Sequence, residues 1–417
     1  MLEELFSKRV IKRIRTSKNS EWLELFALYL EKSGYKLNVI QSYVCSAEHF
    51  VNWLANHRIP TADRNTINKF LFEHLPVCQC PKPSAKRLIT VRTALNHFYK
   101  ALIQHGILKL PQLKLSFIEQ ELIKYDRYLE EICGLSSSTR IYRLRYTKEF
   151  LETLFKCNPI DYRKISYTHV INFITKRKDK LQPCSISGIA TSLRSYFRFL
   201  VMNKQVDKTL IKIIPNVPNW KLSSIPKSLT EKEVTQLLSS FNRKEKTGQR
   251  DYAIALCFIE LGLRTKEVVG LELDNINWRR ETLSICHTKS LYERILPLSY
   301  KIGSAITDYL TFGRPISNSR NIFLRHTVPV GAPVTKELVR GIIRRAYARA
   351  GIIPPAAGPQ VLRHTLATQM INKGVKIKEI ADVLGHKSLE STAIYAKVDL
   401  TSLRNAAMPW PTWKEKE

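Results

Sequence analysis

Acidic side chains are scarce in this chain. Its 417 residues hold 36 Asp and Glu against 67 Lys and Arg, which gives a formal charge of +31. No carboxylate cluster suited to Mg²⁺ is visible, which argues against a two-metal transposase. Binding to a polyphosphate requires a positive excess of this size. The composition therefore predicts nucleic acid as the partner, with no cofactor.

Long apolar runs and a framework of paired cysteines are also missing. The longest apolar stretch, residues 252–263, is interrupted by Glu260 and is too short to cross a bilayer, and no secretory signal is visible. The eight cysteines lie scattered, as in a reducing compartment. Cys78 and Cys80, with His74 nearby, form the one metal-like group, but it lacks a second ligand pair. We therefore predict a cytoplasmic, nucleoid-associated protein without a metal site or membrane contact.

An internal repeat organises the first half of the chain. Three pairs of short segments match in order and spacing: 29–31 with 128–130, 50–54 with 150–154, and 93–99 with 191–197. We interpret residues 19–112 and 113–206 as two similar helical DNA-binding domains, the second resembling a core-binding domain. A basic arm over 1–18 precedes them, and a proline-containing linker over 207–226 follows.

A third domain is predicted over 227–400, with a tail over 401–417. Thr230, followed three residues later by Glu233, indicates a capped helix start. The short strands and the basic helix that follow are predicted over 275–278, Thr282–Ile285, Arg294–Pro297 and Lys336–Arg349. The predicted fold is mainly α with a small antiparallel three-stranded sheet in the C-terminal domain (α+β).

Candidate chemistry is concentrated between Gln360 and Tyr395. Leu362, Leu366 and Met370 recur at helical spacing, so Gln360 and Arg363 are expected on a different face, available to a ligand.

A second helix is predicted to end at Gly385, which places His386 on a turn. Ser388 is then positioned to cap a helix that carries Tyr395. Basic groups and a tyrosine presented from helix ends suit a phosphodiester better than a metal.

Five segments together resemble the tyrosine recombinases, the family of phage integrases and Xer-type resolvases. They are Leu261-Gly262-Leu263-Arg264-Thr265-Lys266-Glu267, Lys289 with the strand that starts at Arg294, Leu362-Arg363-His364-Thr365-Leu366-Ala367-Thr368, Leu384-Gly385-His386-Lys387-Ser388 and Ile394-Tyr395. The resemblance implies a site-specific DNA recombinase or integrase, acting for a mobile element, that needs no ATP. It also implies double-stranded DNA as partner and a homotetramer on synapsed sites, with or without other recombinases.

The resemblance implies a role for each matched residue. Arg264 and Arg363 would hold the phosphate oxygens with paired donors, and His386 would add a third donor. Tyr395 would attack to form a 3′-phosphotyrosine, and Lys289 would protonate the departing 5′ oxygen.

One position departs from the family pattern, because Gln360 stands where the family usually has histidine. Glutamine can hydrogen-bond a phosphate oxygen but cannot accept a proton at neutral pH. His364 is a conceivable substitute, although its neighbours favour a structural role. Glu267 is expected to orient Arg264 rather than bind an ion.

Basic side chains on several helices are predicted to contact DNA, with a merely solvated surface as the alternative. They are Arg340, Arg344, Arg345, Arg143, Arg194, Lys86 and Arg92. Two rival functions stay open: a DNA-binding accessory or regulatory protein with a weakened site, and a type IB topoisomerase. The tail over 401–417 is expected either to dock on a neighbouring subunit or to fold back on its own domain.

Overall fold

The computed structural model describes residues 6–16, 19–80, 86–108, 115–156, 158–212, 214–217, 226–286, 293–356, 358–386, 388 and 390–398. It divides into two compact units, the first formed by residues 1–110 with 224–417 and the second by residues 111–223. None of the helices in the described ranges combines the length and apolarity that crossing a lipid bilayer requires.

The N-terminal part of the first unit is helical. Its α-helices are α1 (Lys8–Thr16), α2 (Ser20–Lys32), α3 (Leu37–Asn56), α4 (Arg64–Lys69) and α5 (Leu88–Gln104). A π-helical turn (Phe70–His74) and a 3-10 turn (Leu75–Val77) continue from α4. Phe26, Phe50, Phe70 and Phe98 are fully buried where these helices meet, so the aromatic positions of the first repeat copy form its core.

The second unit is also helical and has its own core. It contains α6 (Phe117–Arg127) with a π-helical turn (Tyr128–Ile132), α7 (Ser137–Phe155), a 3-10 turn (Tyr162–Lys164), α8 (Tyr167–Thr175), α9 (Pro183–Met202) and α10 (Thr209–Lys212). Ser116 and Glu119 form a capping box that starts α6, and Pro183 occupies the first turn of α9, where its missing N–H costs no bond. Four helices, α6 to α9, occupy this region, as α2 to α5 occupy the first copy; the repeat and its domain boundaries stay a prediction.

The C-terminal part of the first unit combines helices with a small sheet. Its elements are α11 (Glu231–Ser239), α12 (Lys246–Ile259), α13 (Thr265–Val269), a 3-10 turn (Leu273–Asn275), β1 (Ile276–Asn277), β2 (Thr282–Ile285), β3 (Arg294–Pro297), α14 (Tyr300–Asp308) with a π-helical turn (Tyr309–Gly313), and α15 (Lys336–Arg349). The strands pair antiparallel in the order β1-β2-β3, with Ile276 opposite Leu283 and Leu283 opposite Leu296. The predicted fold class is therefore confirmed. The first strand is shorter than predicted, because Asn275 belongs to the preceding 3-10 turn.

Three helical segments close the described chain: α16 (Gln360–Asn372), α17 (Ile377–Leu384) and α18 (Glu390–Ala393), which continues into a 3-10 turn (Ile394–Val398). Gly385 ends α17 in the left-handed conformation at φ 62°, as predicted. The helix expected to carry Tyr395 is instead the short α18, and Tyr395 lies in the 3-10 turn after it. Lys289 and the tail over 401–417 lie outside the described residues.

Candidate active site

Glu267 holds two arginines at the edge of the site. Its Oε1 accepts a hydrogen bond from Arg264 Nη1 at 2.9 Å, and its Oε2 accepts one from Arg294 Nη2 at 2.8 Å. Burial would raise the pKa of Glu267, but hydrogen bonds and charge from Arg294 and Arg264 outweigh burial and lower it. The carboxylate is thus ionised and occupied by guanidiniums, so it orients Arg264 and is not free to ligate a metal.

Arg264 and Arg363 converge on the C-terminal end of α17. Arg264 Nη2 donates to the carbonyl of Gly385 at 2.9 Å, and Arg363 Nη2 donates to the carbonyl of Leu384 at 2.5 Å. A second donor of Arg363, Nη1, bonds the carbonyl of Gly262. The two consecutive carbonyls before His386 therefore bring together the guanidinium groups of the two arginines that were predicted from the sequence.

Arg363 is buried, which contradicts the expectation of a face open to a ligand. Its side chain is 1% exposed, because the loop at Gly262 and the end of α17 enclose this side of α16. Burial, and then the charge of Arg264, lower the pKa of Arg363 to about 9, so the guanidinium stays charged at neutral pH.

Tyr395 lies against His364 in a small apolar pocket. The Tyr395 hydroxyl and His364 Nδ1 form a hydrogen bond of 2.6 Å, and Ile371 and Leu384 are among the side chains that pack around the tyrosine. Burial raises the pKa of Tyr395 to about 12, although the charge of Arg363 opposes the rise. Burial and the charge of Arg363 lower the pKa of His364, which favours its neutral form. The site thus places a neutral imidazole beside a protonated phenol.

His386 follows the two acceptor carbonyls and faces the same cations. Its Nδ1 is hydrogen-bonded to Thr392 Oγ1 at 2.7 Å. Burial first, and then the charges of Arg363, Arg264 and Arg294, lower the pKa of His386 to about 4. The ring is therefore neutral at pH 7, and in the tautomer whose Nδ1 accepts from Thr392 its Nε2–H is available to an anion.

Gln360 is exposed at the first position of α16, one helical turn before Arg363. Of the predicted site residues that the structure describes, Arg264, Glu267, Arg363, His364, His386 and Tyr395 come together. Two contributing residues were missed by the sequence analysis: Arg294, which shares Glu267, and Thr392, which bonds His386. Arg294 begins the strand after Lys289, and the sequence indicated only that it belongs to a strand. Nothing in the sequence around Thr392 indicated a role in the site, apart from its position between His386 and Tyr395.

The predicted DNA-contacting residues fall into two groups. Arg340, Arg344 and Arg345 are exposed on α15, as a DNA-facing helix requires. The others have partners within the protein. Arg143 Nη1 donates to Ser195 Oγ, Arg194 Nη2 donates to Asn216 Oδ1, Lys86 Nζ donates to the carbonyl of Cys78, and the Arg92 guanidinium lies over the Phe72 ring.

The chain is similar in sequence to known proteins. Residues 227–401 match the phage integrase family. The y4rA protein of Sinorhizobium fredii, named as a candidate integrase/recombinase, is 34% identical over 391 residues, which cover 93% of each chain. A tyrosine recombinase of Pseudothermotoga lettingae is 30% identical over 284 residues, which cover 67% of this chain and 94% of that one.

The fold is also that of a solved recombinase. The XerH site-specific recombinase, crystallised with a palindromic difH substrate in a post-cleavage complex, superposes with a TM-score of 0.54 at 20% identity, covering 82% of this chain and 94% of that one. The two sequence relatives and the match to the family over residues 227–401 establish that the chain belongs to the phage integrase family of tyrosine recombinases.

Proposed function

We propose that this chain breaks and rejoins DNA at specific sites through a covalent bond between Tyr395 and a DNA phosphate. One observation carries the assignment of residues. Arg264 and Arg363 converge on the end of α17 beside His386, while Tyr395 is hydrogen-bonded to His364. Attack on a phosphodiester builds negative charge on its non-bridging oxygens, and two guanidiniums with an imidazole N–H are the donors that stabilise it.

The chemical step transfers two protons: one leaves the attacking tyrosine and one reaches the departing oxygen. The Tyr395 oxygen bonds to phosphorus, and the bond from phosphorus to the 5′ oxygen breaks. The Tyr395 proton passes to Nδ1 of His364, and the 5′ oxygen takes a proton, which the resemblance assigns to Lys289. Because the phosphotyrosine ester conserves the bond energy, a 5′ hydroxyl from a second strand can reverse the step without ATP.

His364, rather than Gln360, is proposed as the base. Gln360 is exposed and its amide cannot accept a proton at neutral pH. His364 lies within hydrogen-bond reach of the hydroxyl, and its lowered pKa keeps it neutral and able to accept.

DNA binding must precede attack, because the reacting groups are enclosed. Tyr395 and Arg363 are each 1% exposed, whereas the Arg264 side chain is 30% exposed. The phosphate is therefore proposed to meet Arg264 first. The short segment of α18 and its 3-10 turn is then proposed to adjust, so that the phosphorus meets Tyr395 while the Tyr395 hydroxyl stays within reach of His364.

Arg340, Arg344 and Arg345 are proposed to bind the DNA backbone. Their positions on one exposed stretch of α15 allow them to follow successive phosphates. Arg143, Lys86 and Arg92 are retained as contacts that would exchange their internal partners for phosphates. Arg194 is assigned a structural role instead, because its guanidinium bonds both Asn216 and the carbonyl of Ile214. Action for a mobile element, and synapsis as a homotetramer, complete the proposal on family grounds.

Covalent capture of DNA tests the proposal. The probe is a nicked duplex carrying inverted repeats identified by sequencing the DNA that flanks the gene, and the product is a protein–DNA adduct that survives denaturing electrophoresis. The wild-type chain should form the adduct. Tyr395→Phe should form none, yet should bind the same duplex with unchanged affinity.

An adduct in Tyr395→Phe would refute the nucleophile assignment. Binding without any adduct in the wild-type chain would favour the accessory protein. Relaxation of supercoiled plasmid that lacks the repeats would favour the topoisomerase.

A further inference from the structure

Four metal-binding side chains meet in the N-terminal helical region, far along the chain from Tyr395. They are His49 on α3, His74 at the end of the π-helical turn, and Cys78 and Cys80 on the segment that follows. One ligand atom from each lies within 4.8 Å of all the others. The sequence pattern contained only Cys78, Cys80 and His74, and a metal site was rejected because a second ligand pair was missing. His49 now supplies the fourth ligand.

The spacing of these atoms suits a tetrahedral ion. His49 Nε2 and His74 Nε2 are 3.3 Å apart, Cys78 Sγ is 3.4 Å from His49 Nε2, and Cys80 Sγ is 3.6 Å from His74 Nε2. Zinc binds imidazole nitrogen at about 2.0 Å and thiolate at about 2.3 Å, so a regular tetrahedron requires N···N near ~3.3 Å and N···S near ~3.5 Å. The three observed distances match the edge lengths expected for that tetrahedron.

The surrounding aromatic rings hold the two imidazoles in place. His74 stacks on Phe70 with ring centroids 5.1 Å apart, and His49 meets the edge of Phe70 at 5.0 Å. Trp53 covers His74 at 5.8 Å. His49 is itself only 6% exposed. A pair of imidazoles with both Nε2 atoms aimed at one point, in an apolar setting, is arranged for a shared ligand.

We propose that His49, His74, Cys78 and Cys80 bind one Zn²⁺ ion. Two thiolates and two imidazoles in tetrahedral array are the donor set that selects zinc, and four protein ligands leave no open position for catalysis. The ion is therefore structural: it fastens the segment from Leu75 to Cys80 onto α3. Lys86 Nζ donates to the carbonyl of Cys78 at 2.9 Å, so the same ion would also fix a basic side chain that lies just before α5.

Metal content is the first test, and it does not depend on the recombinase chemistry. The full-length chain, purified without a metal-chelating tag or resin, should carry about one zinc per chain by mass spectrometry. Cys78→Ser and Cys80→Ser should each lose at least about nine-tenths of it. Cys184→Ser is the matched control, because Cys184 is an exposed thiol of the other unit. Equal zinc in all four proteins, or none in the wild type, would overturn the proposal.

Thiol labelling of the wild-type chain covers the case in which a variant fails to fold. Cys78 and Cys80 should resist alkylation until a chelator is added, whereas Cys184 should react at the same rate with and without it. Cobalt-substituted protein should show the strong visible absorption of a four-coordinate thiolate site. Labelling that the chelator leaves unchanged, or weak octahedral cobalt absorption, would refute a tetrahedral site at these residues.

Discussion

The Tyr395 hydroxyl lies 2.6 Å from Nδ1 of His364, which places a potential proton acceptor at the proposed nucleophile. Burial raises the pKa of Tyr395 to about 12, so the phenol is protonated in the free protein. Burial and the charge of Arg363 lower the pKa of His364, so its ring is neutral. The proposed nucleophile and the proposed base are therefore already paired in the free protein.

Replacing His364 should slow covalent capture far more than replacing Gln360. A positioned general base contributes about 10²–10⁴-fold to a rate. His364→Ala should therefore reduce single-turnover adduct formation by about 10²-fold or more, whereas Gln360→Ala should change it by less than about 10-fold. Rapid-quench kinetics on the nicked duplex gives both rates. A larger loss in Gln360→Ala than in His364→Ala would return the base role to position 360.

The pH dependence of cleavage should reflect the lowered pKa of His364. Only the neutral ring accepts a proton, so the rate should be at its plateau at pH 7 and should fall as the pH drops through a value below the ordinary 6.5. Single-turnover rates measured at several pH values locate this limb. The His364→Ala variant provides the control, since the limb should be absent from its residual activity; a limb centred above 6.5 would contradict the assignment.

Glu267 should contribute to stability through its two arginines. Removing one partner of a buried ion pair costs about 3–5 kcal/mol, so Glu267→Ala should lower the free energy of unfolding by about 3 kcal/mol in a urea titration. Glu267→Gln should lose less, because the amide still accepts hydrogen bonds.

The pH dependence of this contribution has a definite sign. The folded-state pKa of Glu267 is lowered from 4.5, so its stabilisation is present above pH 4.5 and is lost as the pH falls through the folded-state value. A difference between wild type and Glu267→Ala that grows as the pH is lowered would contradict this ionised pair.

Arg340 and Arg344 should contribute to affinity through counterion release. Each lost phosphate contact reduces the slope of log affinity against log salt by about 0.9, so the double variant Arg340→Ala/Arg344→Ala should lose about two units of slope. Fluorescence anisotropy at several salt concentrations measures it. Arg243→Ala is the control, because Arg243 is paired with Asp308 at 3.1 Å. An unchanged slope in the double variant would remove α15 from the DNA interface.

Features that depend on a few neighbouring residues could be predicted from the sequence. Thr230 and Glu233 form the capping box that their spacing indicated, and Gly385 takes the left-handed conformation that ends α17. The strands Thr282–Ile285 and Arg294–Pro297 have the predicted bounds. In each case hydrogen bonds within one turn or one hairpin determine the structure.

Features that depend on residues far apart in the chain could not be predicted from the sequence. The burial of Arg363 depends on the carbonyls of Gly262 and Leu384, which helical periodicity does not include. Arg194, predicted to contact DNA, bonds Asn216, which lies 22 residues further along the chain, and no helical pattern indicates that bond. His49 precedes His74 by 25 residues, so no local spacing rule joins them.

The carbonyls of Leu384 and Gly385 stand where the negative end of the α17 dipole lies, and in the free protein they accept hydrogen bonds from Arg363 and Arg264. Under the proposed function, these carbonyl oxygens occupy the arginines until a DNA phosphate replaces them. Neither cation would then have to lose its partners before the DNA phosphate arrives. A recombinase of this design would keep its cleavage residues buried until it binds DNA.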